Sequence, residues 1–308
     1  MHTIVTGGAG FIGSHVVELL LRFGHRITIL DDLSSGVRQN IPKDTGITFI
    51  EKDVLSHAPT EWPRDAEAVV HLAASPSVAD SWIQLRRAHE NNLSSTVHAL
   101  EAARHNQIAR FIFASSAAVY GNAATIPLKE DAYTEPLSPY GLQKLVGEQY
   151  GRMIARECGT IFIALRFFNA YGTRQLASSP YSGVISRFIQ AMTSGKAITI
   201  RGDGSQTRDF VYVKDVAAAV AAALSMPAPA NNTLTCNIGS GTATSIFDLA
   251  RILQQLKPDW RTRIEFGSLL PGEVLASRAD IRKAADELSF SARWTLEEGL
   301  ADMLSRTG

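Results

Sequence analysis

The strongest constraint on the fold is a rhythm in the first half of the chain. Short runs rich in β-branched and aromatic residues recur as TIVTG (3–7), RITILD (26–31), ITFIEKD (47–53), AVVHLAA (68–74), RFIFASS (110–116) and TIFIALRFF (160–168). Several are apolar at consecutive positions rather than alternate ones, a pattern that suits a strand covered on both faces. Between them lie helical stretches: SHVVELLLRFG (14–24), NNLSSTVHALEAARHN (91–106) and a segment from Pro139 to about Cys158. Such alternation predicts an α/β fold, a doubly wound parallel sheet. Gly24 falls where the first helix should end, and Ser138-Pro139 where the last should open.

Beyond about residue 170 the rhythm changes. Residues 169–183 carry loop punctuation, followed by an expected helix at 184–195, a strand at 197–202, a helix at 215–225 and a strand at 233–241. The tail, 245–308, reads as two helical stretches with loops around Pro258 and Pro271. Residues 1–168 are therefore expected to form the main domain, with segments around 208–240 returning to it. Residues 169–308 are expected to form a smaller C-terminal α/β lobe, and a cleft beyond the strands' carboxyl ends is where ligands enter such sheets.

The 308 residues carry 30 Lys+Arg against 30 Asp+Glu, so net charge gives no case for a nucleic-acid or membrane partner. The MHTIVTGG start goes straight into a strand, without a signal-peptide pattern, and no apolar run reaches the ~20 residues needed to span a bilayer. Cys158 and Cys236 show no metal-ligand spacing and are expected as two buried thiols in a reducing cytoplasm.

Three motifs carry chemistry. TGGAGFIG (6–13) places Gly7, Gly10, Phe11, Ile12 and Gly13 between the first strand and first helix, where backbone can approach a pyrophosphate at a helix N-terminus. Asp31 ends the second strand, at the spacing of an acid that binds ribose hydroxyls and repels a 2′-phosphate; a solvated loop carboxylate is the alternative. Asp53, with Val54, ends the third strand and is either a contact to the adenine edge or a turn residue. Ser115 and Ser116 lie at the carboxyl end of a strand. In SPYGLQK (138–144), Tyr140 and Lys144 share a helix face. A surface helix is the plain explanation. The chemical one is a phenol brought toward neutrality by two cations, a lysine ammonium and an oxidised nicotinamide: a unit charge at ~4 Å in an effective dielectric near 20 is worth about 4 kcal/mol, or roughly three pKa units. That would make Tyr140 a general base.

Together, TGGAGFIG, FIFASSAAVYG and SPYGLQK resemble the extended short-chain dehydrogenase/reductase superfamily. RFFNAYGTRQ (166–175) and RGDGSQTRDFVYVKDV (201–216) resemble its NAD-dependent nucleotide-sugar epimerase/dehydratase branch. The resemblance implies a Rossmann sheet, NAD as cofactor and a Ser116–Tyr140–Lys144 catalytic set. It implies cofactor contacts at Leu72, Ala73, Ala74, Asn92, Tyr140, Lys144 and Phe168, with Lys144 on the nicotinamide ribose. Substrate contacts are implied at Ser116, Asn169, Arg208, Glu273 and Ser277, with Arg208 on a diphosphate; a solvated surface charge is the alternative for Arg208.

The branch's dehydratases resemble one another in an Asp-Glu pair where this chain has Ala117 and Ala118. The remaining equipment implies reversible oxidation of one carbinol, as in cytoplasmic UDP-sugar 4-epimerases. Ser277 stands where glucose-restricted relatives carry a bulky tyrosine, which implies room for UDP-N-acetylglucosamine as well as UDP-glucose. Two departures bear on the nucleotide: Glu273 replaces an aspartate, and Leu270 replaces a phosphate-binding arginine for which Arg278 is a candidate substitute. The resemblance also implies a homodimer paired through the helices at 91–106 and 139–158. A TDP- or GDP-sugar epimerase, a 4-ketoreductase and a non-catalytic dinucleotide sensor are the alternatives; the intact Tyr140–Lys144 pair argues against the last.

Overall fold

The computed structural model describes residues 1–123, 125–175, 183–260, 262–268 and 274–305. Strands β1 (His2–Thr6), β2 (Arg26–Leu30), β3 (Ile47–Ile50), β4 (Ala68–His71), β5 (Arg110–Ser116) and β6 (Ile161–Phe167) follow one another through the first half. Helices α1 (Phe11–Arg22), α2 (Val78–Ile83), α3 (Leu85–His89), α4 (Ser95–His105) and α5 (Pro139–Cys158) lie between them. A later strand, Thr233–Ile238, joins the same sheet beside β6, giving seven parallel strands. In its chain-order position among the strands it is β11. The sheet order is β11-β6-β5-β4-β1-β2-β3, so the winding direction reverses between β1 and β4. Such a switch point opens a crevice at the carboxyl end of the sheet.

The consecutive apolar runs have a simple cause. On β5, Ile112 and Ala114 pack into one core with Val16, Val17 and Leu20 of α1, while Phe111 and Phe113 point into a second core with Leu100 and Ala103 of α4. Successive side chains face opposite sides of a strand, and here both sides are covered. Ser138 caps α5 by accepting the Gly141 amide at 3.1 Å, with Pro139 in the first turn.

The expected helix at 91–106 begins earlier and is interrupted. Between α3 and α4, residues Glu90–Ser94 form a single π turn. The loop expected at 169–183 contains β7 (Asn169–Tyr171), and the later region holds α6 (Val184–Thr193), β8 (Ile198–Arg201), β9 (Thr207–Arg208), β10 (Phe210–Tyr212) and α7 (Val213–Ser225). β7 pairs in parallel with β10. The tail has more structure than two helices: β12 (Thr244–Ser245), α8 (Ile246–Leu256), β13 (Ile264–Gly267), α9 (Arg282–Leu288) and α10 (Leu296–Ser305). β13 pairs with β8, a contact made across more than sixty residues of chain that local patterning does not report. A separate core built on Phe188, Ile200, Leu249 and Leu300 supports this region. Cys236 is buried and Cys158 is exposed, which corrects the expectation of two buried thiols: Cys158 is the last residue of α5, on its solvent side. Among the described residues no helix is long and apolar enough to cross a membrane, and no cluster of metal-ligating side chains occurs.

Candidate active site

A cleft of about 600 Å³ opens at the carboxyl end of the sheet, over the switch point. The turn from β1 into α1 forms one wall, through Gly7, Gly10, Phe11, Ile12 and Gly13. Close backbone approach is what requires glycine there. A Cβ on Gly13 would lie 2.1 Å from Gly7 O, and one on Gly7 would lie 2.8 Å from Ala73 N. The turn is also tied to the second strand, because the Ala9 amide donates to Asp31 Oδ2 at 2.9 Å. Asp31 Oδ1 accepts the Leu33 amide, also at 2.9 Å, and the buried carboxyl is pushed above its ordinary range by desolvation. Asp31 therefore builds the loop as well as lining the cleft.

Asp53 and Val54 line the far end. Asp53 also caps the short turn that follows by accepting the Leu55 amide at 2.9 Å, so it is a turn residue that lines the cleft. Leu72, Ala73 and Ala74, beyond β4, form the floor. Ser116 ends β5, Tyr140 and Lys144 project from the start of α5, and Phe168 and Asn169 leave β6; all five line the same cleft.

Lys144 is buried, and its Nζ donates to Ala114 O at 2.8 Å while lying 5.9 Å from the centre of the Tyr140 ring. Burial lowers the Lys144 ammonium to about 8. Burial also raises the Tyr140 phenol above its ordinary value, and the Ser116 hydroxyl, hydrogen-bonded to it, pulls in the opposite direction without winning. The expectation for Tyr140 rests on a lysine ammonium and an oxidised nicotinamide together, and burial is the opposing influence they have to offset. The Lys144 ammonium is directed at a backbone carbonyl, and desolvation is the largest influence on the phenol.

Three expected contacts stand off the cleft wall. Asn92 is buried behind it, with Oδ1 accepting the Ser75 amide at 2.7 Å and Nδ2 donating to Gln143 Oε1 at 2.8 Å. Asn92 thus fastens the cleft-lining Ser75 loop to α5 next to Lys144. Arg208 lies on β9, with Nη1 on the Thr207 carbonyl at 2.9 Å. Ser277 is buried in the stretch leading to Ala279, whose amide donates to the buried Asp209 carboxylate at 3.0 Å. Asp209 also accepts from Ser240 and Gly241, so one carboxylate joins the Arg208 strand to the Ser277 segment. Arg278 is half-buried in that segment. Leu270 and Glu273 lie outside the described residues.

The sequence reading assigned nothing to Arg174 and Gln175, although both fall in a quoted motif. Both line the cleft. Arg174 adopts a positive φ of 66°, pairs with Glu18 of α1, and leaves Nη1 buried without a partner, as is Gln175 Oε1. A guanidinium nitrogen and an amide oxygen that are buried without a partner among the described residues are the signal that marks them. It exists only in three dimensions.

Residues 3–239 match the NAD dependent epimerase/dehydratase family. The chain belongs to that family. The UDP-glucose 4-epimerase of Mycolicibacterium smegmatis is 35% identical over 315 residues, covering 98% of this chain and 96% of that protein. Among solved structures, the UDP-N-acetylglucosamine 4-epimerase of Methanobrevibacter ruminantium, in complex with UDP-N-acetylmuramic acid, superposes with a TM-score of 0.94 at 35% identity, covering 99% and 97% of the two chains. The UDP-glucuronic acid 4-epimerase of Bacillus cereus, in complex with UDP-glucuronic acid and NAD, gives 0.91 at 32% identity and 99% and 98% coverage. In this epimerase-family chain, the residues after Ser116 are Ala117 and Ala118, which form a short turn carrying no acid or base.

Proposed function

We propose that the protein is an NAD-dependent 4-epimerase of UDP-sugars, interconverting UDP-N-acetylglucosamine with UDP-N-acetylgalactosamine and UDP-glucose with UDP-galactose. The observation that carries this reading is one cleft joining the glycine turn to Ser116, Tyr140 and Lys144, with alanines at 117 and 118. The glycine wall suits a dinucleotide, since the turn is packed so tightly against the start of α1 that a side chain at Gly13 would force it out of shape. Gly7, Gly10, Phe11, Ile12 and Gly13 would hold the pyrophosphate, Asp31 the adenosine ribose, and Asp53 and Val54 the adenine side. NAD, when bound, supplies a reversible two-electron acceptor and a cationic ring.

The chain's own groups do the rest. Tyr140 takes the proton of the sugar 4-hydroxyl, and the Ser116 hydroxyl holds the same oxygen. Because burial raises Tyr140, its phenolate needs cationic support, which Lys144 and the oxidised nicotinamide would supply. With Lys144 on Ala114 O, the helix start and the strand end are locked, so the phenol keeps its place through both halves of the reaction. The 4-keto sugar turns over and is reduced on its other face, which inverts C4 with no net redox change. Asn169, at the mouth of the cleft, would meet the sugar nucleotide. Arg208, Ser277 and Glu273 would meet it from the second lobe, and Asn92 would act behind the cofactor wall.

The proposal extends to a cytoplasmic homodimer. Trp82, Ile83 and Leu85 on α2 and α3 and Leu142, Tyr150 and Met153 on α5 are exposed and apolar, and α2 and α3 pack beside α5. Water-facing apolar strips of this kind mark association surfaces. Here the strip runs over α2, α3 and α5 rather than α4.

The test is incubation with a panel of UDP-sugars, including UDP-glucuronic acid, with NMR readout of C4 configuration. Inversion of UDP-N-acetylglucosamine and UDP-glucose is expected. Tyr140→Phe should retain NAD while turnover falls on the order of 10²–10⁴. No inversion with any UDP-sugar, or unchanged turnover in that variant, overturns the proposal.

A further inference from the structure

Beneath the cleft lies a buried charge network that the proposed chemistry does not use. Glu148 is on α5, one helical turn beyond Lys144 and two beyond Tyr140, and is fully buried. Its Oε1 accepts the Ser115 hydroxyl at 2.6 Å and Arg166 Nε at 2.8 Å; its Oε2 accepts Arg166 Nη2 at 2.8 Å and Arg152 Nη2 at 2.5 Å. Arg166, on β6, uses its remaining Nη1 on the Tyr120 hydroxyl at 2.9 Å and the Glu130 carbonyl at 3.1 Å. The Tyr120 hydroxyl in turn donates to Asn237 Oδ1 at 2.6 Å.

This wiring has a consequence for Ser116. The segment from Ser115 to Tyr120 contains Ser116 and the turn of Ala117–Val119. Its first residue is held by Glu148 and its last by Arg166, and those two are bound to each other. Tyr140 is fixed to Glu148 through the rigid helix they share. We propose that the Glu148–Arg166 pair is a positioning device: it sets the distance between the Ser116 and Tyr140 hydroxyls, with Ser115 as the link that transmits it. A bidentate buried pair suits that task, because a planar guanidinium fork on a carboxylate fixes both distance and orientation. Lys144 on Ala114 O gives the strand end a second bolt from the same helix. The inference rests on the proposed roles of Ser116 and Tyr140.

Ser115→Ala is the clean perturbation. It deletes one hydroxyl and leaves both arginines on Glu148, so the ion pair survives. The Ser116 hydrogen bond favours ionisation of Tyr140. Loosening Ser116 should therefore raise the phenol pKa. The test is a tyrosinate absorbance titration of the NAD-bound protein, with Tyr140→Phe as the blank, beside kcat and KM for the best UDP-sugar. Ser115→Ala is expected to raise the Tyr140 pKa by about half a unit to one unit, and to lower kcat about tenfold with KM within about threefold. Ser115→Thr, which keeps the hydroxyl, should restore both. A Tyr140 titration and kcat unchanged in Ser115→Ala would overturn the proposal, as would a rise in KM alone. If no UDP-sugar is turned over but the phenol titration shifts as stated, positioning stands and the epimerase proposal falls. A variant that loses thermal stability with Tyr140 unmoved shows a purely structural pair and also overturns it.

Discussion

Replacing Lys144 by methionine should stabilise the protein near neutral pH while abolishing turnover, and the size of the effect follows from burial. The Lys144 ammonium falls from an ordinary 10.5 to about 8, and desolvation is the cause. The shift is about 2.5 units, equivalent to about 3 kcal/mol of unfavourable burial at about 1.4 kcal/mol per unit. The sign follows from linkage. Between pH 8 and 10.5 the unfolded chain holds a proton that the folded one has lost, so folding stability rises with pH across that window. Above 10.5 both states are neutral and the penalty is gone; as pH falls through 8 it reaches its full size. Between about pH 7 and pH 10 the wild type should therefore gain about 2.5 kcal/mol relative to Lys144→Met. Against this, methionine leaves Ala114 O without its donor, which costs about 1–3 kcal/mol at every pH. The absolute difference at pH 7 is accordingly small and in the variant's favour, whereas its pH dependence is large. Urea unfolding of both proteins, stripped of cofactor so that no ligand linkage enters, measures it at the two pH values. A difference that does not change with pH would refute the argument, since it would mean that the ammonium is not desolvated where it sits.

Two further outcomes follow from geometry. Gly13→Ala would drive a Cβ to 2.1 Å from Gly7 O, a backbone atom that can yield only by opening the turn; a cost of about 1–3 kcal/mol is expected for such overpacking, read as an order-of-magnitude fall in NAD content of protein whose circular dichroism is unchanged. Met153→Glu places a charge on an apolar side chain that is 66% exposed on α5; light scattering should show the wild type as a dimer and the variant shifted to monomer at micromolar concentration, with a monomeric wild type removing the dimer proposal.

How much of this was visible in the sequence depends on where each constraint acts. The sheet was legible because its cause is local: β5 must send Phe111 and Phe113 one way and Ile112 and Ala114 the other, and a run of consecutive apolar residues records that directly. The Ser138-Pro139 cap was legible for the same reason, since it is decided within one turn of chain. The ionisation of the Tyr140 phenol was not legible in the same way, because it is set by what covers the phenol and by where Lys144 points, and helix spacing fixes neither. Pairings between distant segments, such as β13 on β8, leave no periodic trace in the strands that make them. Glu148 shows the same limit at the site itself. Its spacing from Tyr140 and Lys144 places it on their side of the helix, yet a glutamate one turn from a lysine is an ordinary surface pair on spacing alone. Only the arrival of Arg166 from β6 and Ser115 from β5 turns it into a buried hub. The parts of an active site that touch ligand tend to fall in short motifs. The parts that hold those motifs at the right separation come from other strands, so their meaning is acquired on folding.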